Sequence, residues 1–228
     1  MNHKISIKTK GSLLSLDEFK TQGLNWDDVV GIALQTETIG MIISLDEWST
    51  AWCSKYEIKI FNQACDESKA LQTLNGLELT RTIAMQCGIN TAATTCWDYN
   101  KDGLQWYLPC IYELSTIAAY REEINEILEG IDVMPLNKDT YYWSSSENSQ
   151  YLAWCVSFSN GYFYYGNKYS YFLVRAVAAF ESLVGSHDEP VDRRVSREPS
   201  YELTEEIAIE YLRNHGYIGK ITKETNIK

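Results

Sequence analysis

Trp154-Cys155-Val156-Ser157-Phe158-Ser159 alternates large apolar with small residues, Asn160-Gly161 follows, and Tyr162-Phe163-Tyr164-Tyr165 returns. An Asn-Gly pair between alternating segments is the signature of a two-residue type I′ hairpin turn, because both central positions need φ > 0. The expected pairing sets Ser159 opposite Tyr162, Phe158 opposite Phe163 and Ser157 opposite Tyr164. Side chains switch faces at every residue of a strand. One face should therefore carry Trp154, Val156, Phe158, Phe163 and Tyr165, and the other Cys155, Ser157, Ser159, Tyr162 and Tyr164.

The surroundings share this texture. Residues 141–180 hold 8 of the 16 tyrosines with 7 Ser and 3 Asn, and their only charges are Glu147, Lys168 and Arg175, so this is a distinct chemical surface. Gly166-Asn167 predicts a further bend, and Leu173 to Phe180 is apolar enough on both faces for a central buried strand. Upstream, Leu114, Ile117, Ala118, Ile124, Ile127 and Leu128 repeat at three and four residues, predicting one long helix that stops at Gly130. Its outer face carries Glu122, Glu123 and Glu126, which read as solvated charges rather than catalytic carboxylates. Asn90 is placed to cap a helix over Thr91 to Cys96. Val29 to Leu34 and Gly40 to Leu45 are short apolar runs around a polar break, as in a hairpin. Beyond residue 180, residues 181–200 contain eight charged residues and two prolines and read as a linker. Residues 201–228 read as a helical tail, with acids in the first turn and Arg213 and His215 near its end.

Composition narrows the function. Lys plus Arg total 20 against 31 Asp plus Glu, a net charge of -11, which opposes a grip on nucleic acid phosphates. No apolar run approaches the roughly 20 residues of a membrane span, and the first ten residues lack the apolar stretch of a secretory signal. The expectation is a soluble protein, cytoplasmic or a virion component, with no membrane insertion. Cys53, Cys65, Cys87, Cys96, Cys110 and Cys155 form no CxxC pair and lie apart from His3, His187 and His215. They are read as reduced thiols, with no metal site. The scattered histidines offer no nucleophilic triad, and no phosphate-cradling glycine motif or other cofactor site is present. Asp98, Asn100 and Asp102 before Gly103 resemble the start of a calcium loop, but the twelfth position is Pro109 rather than Glu. By contrast, Tyr offers a large amphipathic surface at low entropic cost and Ser and Asn offer adaptable hydrogen bonds, the composition of antibody combining loops.

Trp106-Tyr107-Leu108-Pro109 with Tyr112-Glu113-Leu114, then Tyr142-Trp143-Ser144-Ser145-Ser146-Glu147, Ala153-Trp154, Asn160-Gly161 and Val174-Arg175-Ala176-Val177 resemble the lectin-like domains related to the formylglycine-generating enzyme, a branch of the C-type lectin fold. More narrowly, residues 143–180 resemble the variable region of proteins diversified by retroelements, the group of the phage tropism determinants. In that group variable positions become Tyr, Ser, Asn, Gly, Phe, Leu, Cys or Asp, and residues 151–173 comply around a fixed frame that includes Ala153, Trp154, Val156, Phe158, Gly161, Phe163 and Lys168. The resemblance implies no catalysis: the enzymes use a cysteine pair before their closing Arg strand, and none stands between Gly161 and Arg175. Calcium lectin patterns are also missing. The 48 residues after Phe180 depart from variable regions that end their proteins.

The sequence thus predicts an α+β protein of C-type lectin fold, two helices packed on short antiparallel sheets. An arm over residues 1–24 would precede a binding domain over residues 25–180. Its function would be non-catalytic: a receptor-binding adhesin of phage or cell surface, holding a protein or glycan ligand. Tyr151, Cys155, Ser157, Ser159, Tyr162, Tyr164, Tyr165, Asn167, Tyr169 and Tyr171 would form the binding face, on a scaffold held by Trp143, Trp154, Phe158 and Arg175. The alternative is an assembly protein that uses the same aromatic face to form a homo-oligomer.

Overall fold

The computed structural model describes residues 3–55, 58–60, 70 and 75–180. The expected linker over 181–200 and tail over 201–228 lie outside them. In chain order the elements are β1 (Lys4–Thr9), β2 (Leu13–Leu14), α1 (Leu16–Thr21), β3 (Val29–Gln35), β4 (Gly40–Ile43) and β5 (Trp48–Ala51). There follow α2 (Gly76–Cys87), α3 (Ala92–Trp97), β6 (Trp106–Tyr107), α4 (Ile111–Ala119) and α5 (Arg121–Gly130). The last are β7 (Tyr141–Glu147), β8 (Leu152–Ser157), β9 (Phe163–Asn167), β10 (Tyr171–Val174) and β11 (Val177–Ala179). The expected α+β class holds, with more helices than the two anticipated.

The strands form two sheets, ordered β2-β1-β3-β4-β11-β6 and β5-β10-β7-β8-β9. The first includes the expected hairpin, with Ile32 opposite Ile43. It also includes residues 4–9: the segment expected as an arm supplies β1, whose Ile7 lies opposite Ile32 and is fully buried. In the second sheet β10 runs parallel to β7 and all other pairs are antiparallel.

The run from Leu173 to Phe180 is not one strand. β10 belongs to the second sheet and β11 to the first, so the chain changes sheets at Arg175-Ala176. Its partner does the same: β11 pairs with β4 and β10 with β5. Between the paired segments, residues 44–47 stand against residues 175–176, and the surplus backbone needs hydrogen-bond partners. Arg175 provides them. Its Nη1 donates to the carbonyls of Ser44 at 2.8 Å and Leu45 at 2.9 Å, its Nη2 to Met134 at 3.1 Å, and its Nε meets Glu47 at 3.3 Å. An arginine is suited to this because its planar fork carries five fixed donors and keeps its charge when buried.

The long helix also divides. α4 and α5 meet at Tyr120, whose φ of -106° and ψ of 14° leave the helical region. Periodicity cannot see this break, since Ile117 to Ile124 is seven residues and Ile124 to Leu128 four, spacings that a continuous stripe also shows. The visible sign is chemical: Glu122 and Glu123 occupy the first turn of α5, where acids suit a new helix N-terminus. The helix expected over Thr91 to Cys96 begins one residue later, capped by Thr91 rather than Asn90, which takes φ 58°.

Two buried clusters lie in the described body. One joins Ile7, Ile32, Ile43, Leu114, Ile117, Ile124, Tyr142, Val156 and Phe158. The other gathers Trp52, Trp106, Trp143, Cys155, Val174 and Ala178. Cys53 and Cys87 are both buried and joined by a disulfide with Cα atoms 5.0 Å apart. This corrects the expectation of reduced thiols for that pair. Spacing along the chain does not disclose it, because the two are 34 positions apart and it is α2, ending at Cys87, that carries the second to the first. Cys96, Cys110 and Cys155 are free and buried, as read.

Candidate functional site

Ser157 N–H donates to Tyr162 C=O at 3.0 Å and Gly161 N–H to Ser157 C=O at 2.8 Å, closing a loop over residues 158–161. Beyond it β8 pairs with β9 as Val156 opposite Phe163, Cys155 opposite Tyr164 and Trp154 opposite Tyr165. The expected two-residue turn is thus replaced by a four-residue one, in which Gly161 takes φ 74° and Asn160 has no positive φ. Packing decides this. Phe158 leaves the ladder and stacks on Tyr142 with ring centres 4.2 Å apart, fully buried. That burial is worth about 1.5–3 kcal/mol and outweighs the preference for the shorter turn. The register slips by two residues, an even number, so each side chain keeps its expected face.

Which faces reach solvent is another matter. Cys155 is 1% exposed and Ser157 5%, so neither presents itself to a ligand. Alternation assigned their face correctly, but β8 lies inside the sheet and packing covers both its sides. Desolvation pushes the Cys155 thiol up to about 12, leaving it inert. The Ser157 hydroxyl lies 2.8 Å from that of Ser159, which is exposed.

The other expected residues do reach solvent: Tyr151, Ser159, Tyr162, Tyr164, Tyr165, Asn167, Tyr169 and Tyr171 are all exposed. They do not share one face. Tyr164 points to the same side as Cys155, and Tyr165 to the same side as Trp154, whose ring it meets edge-on at 5.8 Å. They form a rim around an edge strand rather than a plate. Tyr141, absent from the expected set, joins it. Its ring lies 5.4 Å from Tyr164 and 5.3 Å from Phe172, and the residue is 37% exposed. The signal was its parity with Trp143 on β7, which puts it beside Ser157.

The tyrosines stand on a frame that charge and hydrogen bonds fix from beneath. Lys168, the one charged residue between Asn148 and Val174, is buried. Its ammonium pairs with the buried Glu147 and donates to Ile58 C=O at 2.7 Å over the ring of Trp52. Desolvation holds its pKa below the ordinary lysine value, and the Glu147 carboxylate opposes that shift. Its carbonyl accepts from the N–H groups of Trp52 at 2.9 Å and Cys53 at 3.2 Å, and its N–H donates to Tyr151 at 3.0 Å. The turn bearing Tyr169 and Tyr171 is thereby tied to the disulfide and to the start of β8. Ser144 and Ser146 are buried too: Ser144 Oγ donates to Trp154 C=O at 2.8 Å, and Ser146 Oγ accepts from Ile111 N–H at 3.1 Å.

Glu113 is the buried carboxylate nearest to a catalytic candidate, and its oxygens are engaged. Oε2 accepts the Cys110 N–H at 2.7 Å and Oε1 the Tyr107 hydroxyl at 2.8 Å, capping α4. Burial raises its pKa, and these hydrogen bonds oppose the rise. Among the described residues no group of acids, histidines and cysteines is arranged to hold a metal ion. No helix among them is long and apolar enough to cross a membrane.

The sequence model of the Lcl C-terminal domain family matches residues 20–178, more than half of the chain. No curated protein matches it. Among solved structures, a fimbrial protein from Bacteroides ovatus is similar in fold, with a TM-score of 0.56 at 15% identity. The similarity covers 79% of this chain and 49% of that one, so the chain spans about half the length of its structural relative.

Proposed function

Because the chain belongs to the Lcl C-terminal domain family, we propose that it is a non-catalytic recognition module of a surface adhesin, whose tyrosine rim holds a macromolecular ligand, protein or glycan, on a cell surface. The observation that carries this reading is the exposure of Tyr151, Tyr162, Tyr164, Tyr165, Tyr169 and Tyr171, from 37% to 72%, on a rim without exposed charge between Asn148 and Asn167. A protein that needed these rings for its own core would bury them. Aromatic side chains with little freedom to lose are the residues that dominate interfaces. The likeness in fold to a fimbrial protein adds support for a surface role.

The finer parts of the reading are proposals as well. A C-type lectin fold of the formylglycine-generating-enzyme-like kind is supported by the Trp106 to Pro109, Tyr142 to Glu147 and Val174 to Val177 motifs, whose residues build the frame. Diversification by a retroelement is supported by the contrast between that buried frame and the exposed Tyr, Ser and Asn positions. The Cys53–Cys87 disulfide favours an oxidising compartment over the cytosol. The test is an alanine series at Tyr162, Tyr164, Tyr165 and Tyr171, screened on protein and glycan arrays and intact bacterial cells. Loss of about 2 kcal/mol of binding at one or more positions with unchanged melting is expected. Retained binding across the series would overturn the reading.

A further inference from the structure

We propose that the free edge of β9 is a docking site for an extended segment of a protein ligand, which adds a strand to the five-stranded sheet. The inference rests on the recognition reading above and deepens it, because it names the class of ligand and the atoms that hold it.

The geometry begins with the ladder. In an antiparallel pair, successive residues alternate between bonding to the neighbouring strand and pointing away from it. The Ser157 N–H···O=C Tyr162 bond fixes the phase, so Tyr162, Tyr164 and Gly166 point their backbone groups at β8. The phase of the next pair agrees, since Phe158 N–H donates to Thr140 on the opposite side of β8. Phe163 and Tyr165 therefore direct both N–H and C=O outward, and no described residue bonds to these groups. β9 is a terminal strand of its sheet.

An open edge is a liability that proteins usually blunt with short strands, lysine, proline, bulges or a covering segment. The other edges conform. β2 and β6 have two residues each, and β5 is partly covered by a bridge from Ala51 to Thr91. Among the described residues β9 has none of these devices: it has five residues, an unbroken register with β8, and no charge or proline from Asn148 to Asn167.

The occupant follows from the same atoms. A row of outward donors and acceptors at strand spacing takes an extended backbone, and the mode is known as strand addition. Tyr162 and Tyr164 on one side and Phe163 and Tyr165 on the other would flank its side chains, favouring apolar or aromatic residues on both faces. The chain's net charge of -11 opposes a second copy of itself and favours a neutral or basic segment of another protein.

Three variants of the full chain separate backbone from side-chain recognition. Tyr165→Ala removes the ring and keeps the N–H, and Tyr165→Pro removes both the ring and an N–H that β8 does not use, at a position where an edge strand accepts proline. Tyr164→Ser removes a ring and leaves the outward ladder intact. The probe is an array of neutral and basic synthetic peptides of about ten residues, long enough to span a strand, with a glycan array beside it. Expected are peptide capture by the wild type and a further loss of about tenfold or more in Tyr165→Pro relative to Tyr165→Ala, with unchanged far-ultraviolet dichroism and denaturation midpoint, whereas an equal loss in the two overturns the proposal. In the complex, the Phe163 and Tyr165 amide hydrogens should exchange more slowly, while that of Tyr164 is unaltered. Peptide capture that survives Tyr165→Pro but is lost in Tyr164→Ser overturns the proposal and leaves tyrosine recognition standing. Capture of glycans alone does the same. A wild-type dimer that Tyr165→Pro dissolves overturns the assignment by making a second copy the occupant, and failure of both arrays with every variant counts against both readings.

Discussion

β8 and β9 are neighbours of similar composition, each mixing aromatic with small residues, yet they have opposite fates. In β8 every residue from Ala153 to Ser157 is buried, whereas in β9 Tyr164, Tyr165 and Asn167 are exposed and Phe163 and Gly166 are half-buried. The difference is lateral position: β8 has a strand on each side and a cluster on each face, and β9 closes the sheet. Burial therefore separates frame from rim where residue type does not.

The comparison can be broken at the frame first. Arg175→Ala should cost about 3–5 kcal/mol in denaturant unfolding, since it strands the carbonyls of Ser44 and Leu45 and the Glu47 carboxylate. Opening the Cys53–Cys87 disulfide by Cys53→Ala should cost up to about 4 kcal/mol on the chain-entropy scale for a 34-residue loop. Tyr169 and Tyr171 amides should then exchange faster than those of Tyr162 and Tyr164, because the Cys53 N–H anchors their turn at Lys168.

Within β9 itself, Gly166→Ala sharpens the contrast. A Cβ there would lie 2.5 Å from Phe172 and 2.8 Å from Trp143, so a loss of about 1–3 kcal/mol is expected in thermal or urea unfolding. Glu113 gives a smaller effect with a definite sign. Its folded pKa lies above the unfolded carboxylate value, so its contribution is full below about pH 4.5 and is lost as pH rises through the folded value. Glu113→Gln should remove that slope from a stability–pH series. Least of all, Tyr162→Ser and Tyr165→Ser, at 68% and 60% exposure, should change stability by no more than about 0.5 kcal/mol, while binding falls.

Much of this was legible from side-chain order. The Val29 to Leu45 hairpin, the apolar stripe of α4 and α5 and the parity of residues 154–165 all follow from short-range periodicity. The length of the turn at Asn160-Gly161 does not follow from local rules, because Phe158 has a distant partner, Tyr142, that no local rule contains. The break at Tyr120 left the stripe in phase, and the crossing at Arg175 occurs within a run that is apolar throughout.

From its sequence alone the protein has a tyrosine-rich, nearly uncharged segment whose alternate residues point to opposite sides, since alternation is a property of each strand by itself. Tertiary structure decided that Cys155 and Ser157 are covered, that Cys53 meets Cys87 and that β9 is an edge. Those outcomes depend on which element lies beside which, and contacts between residues far apart in the chain are chosen by the packing of the whole.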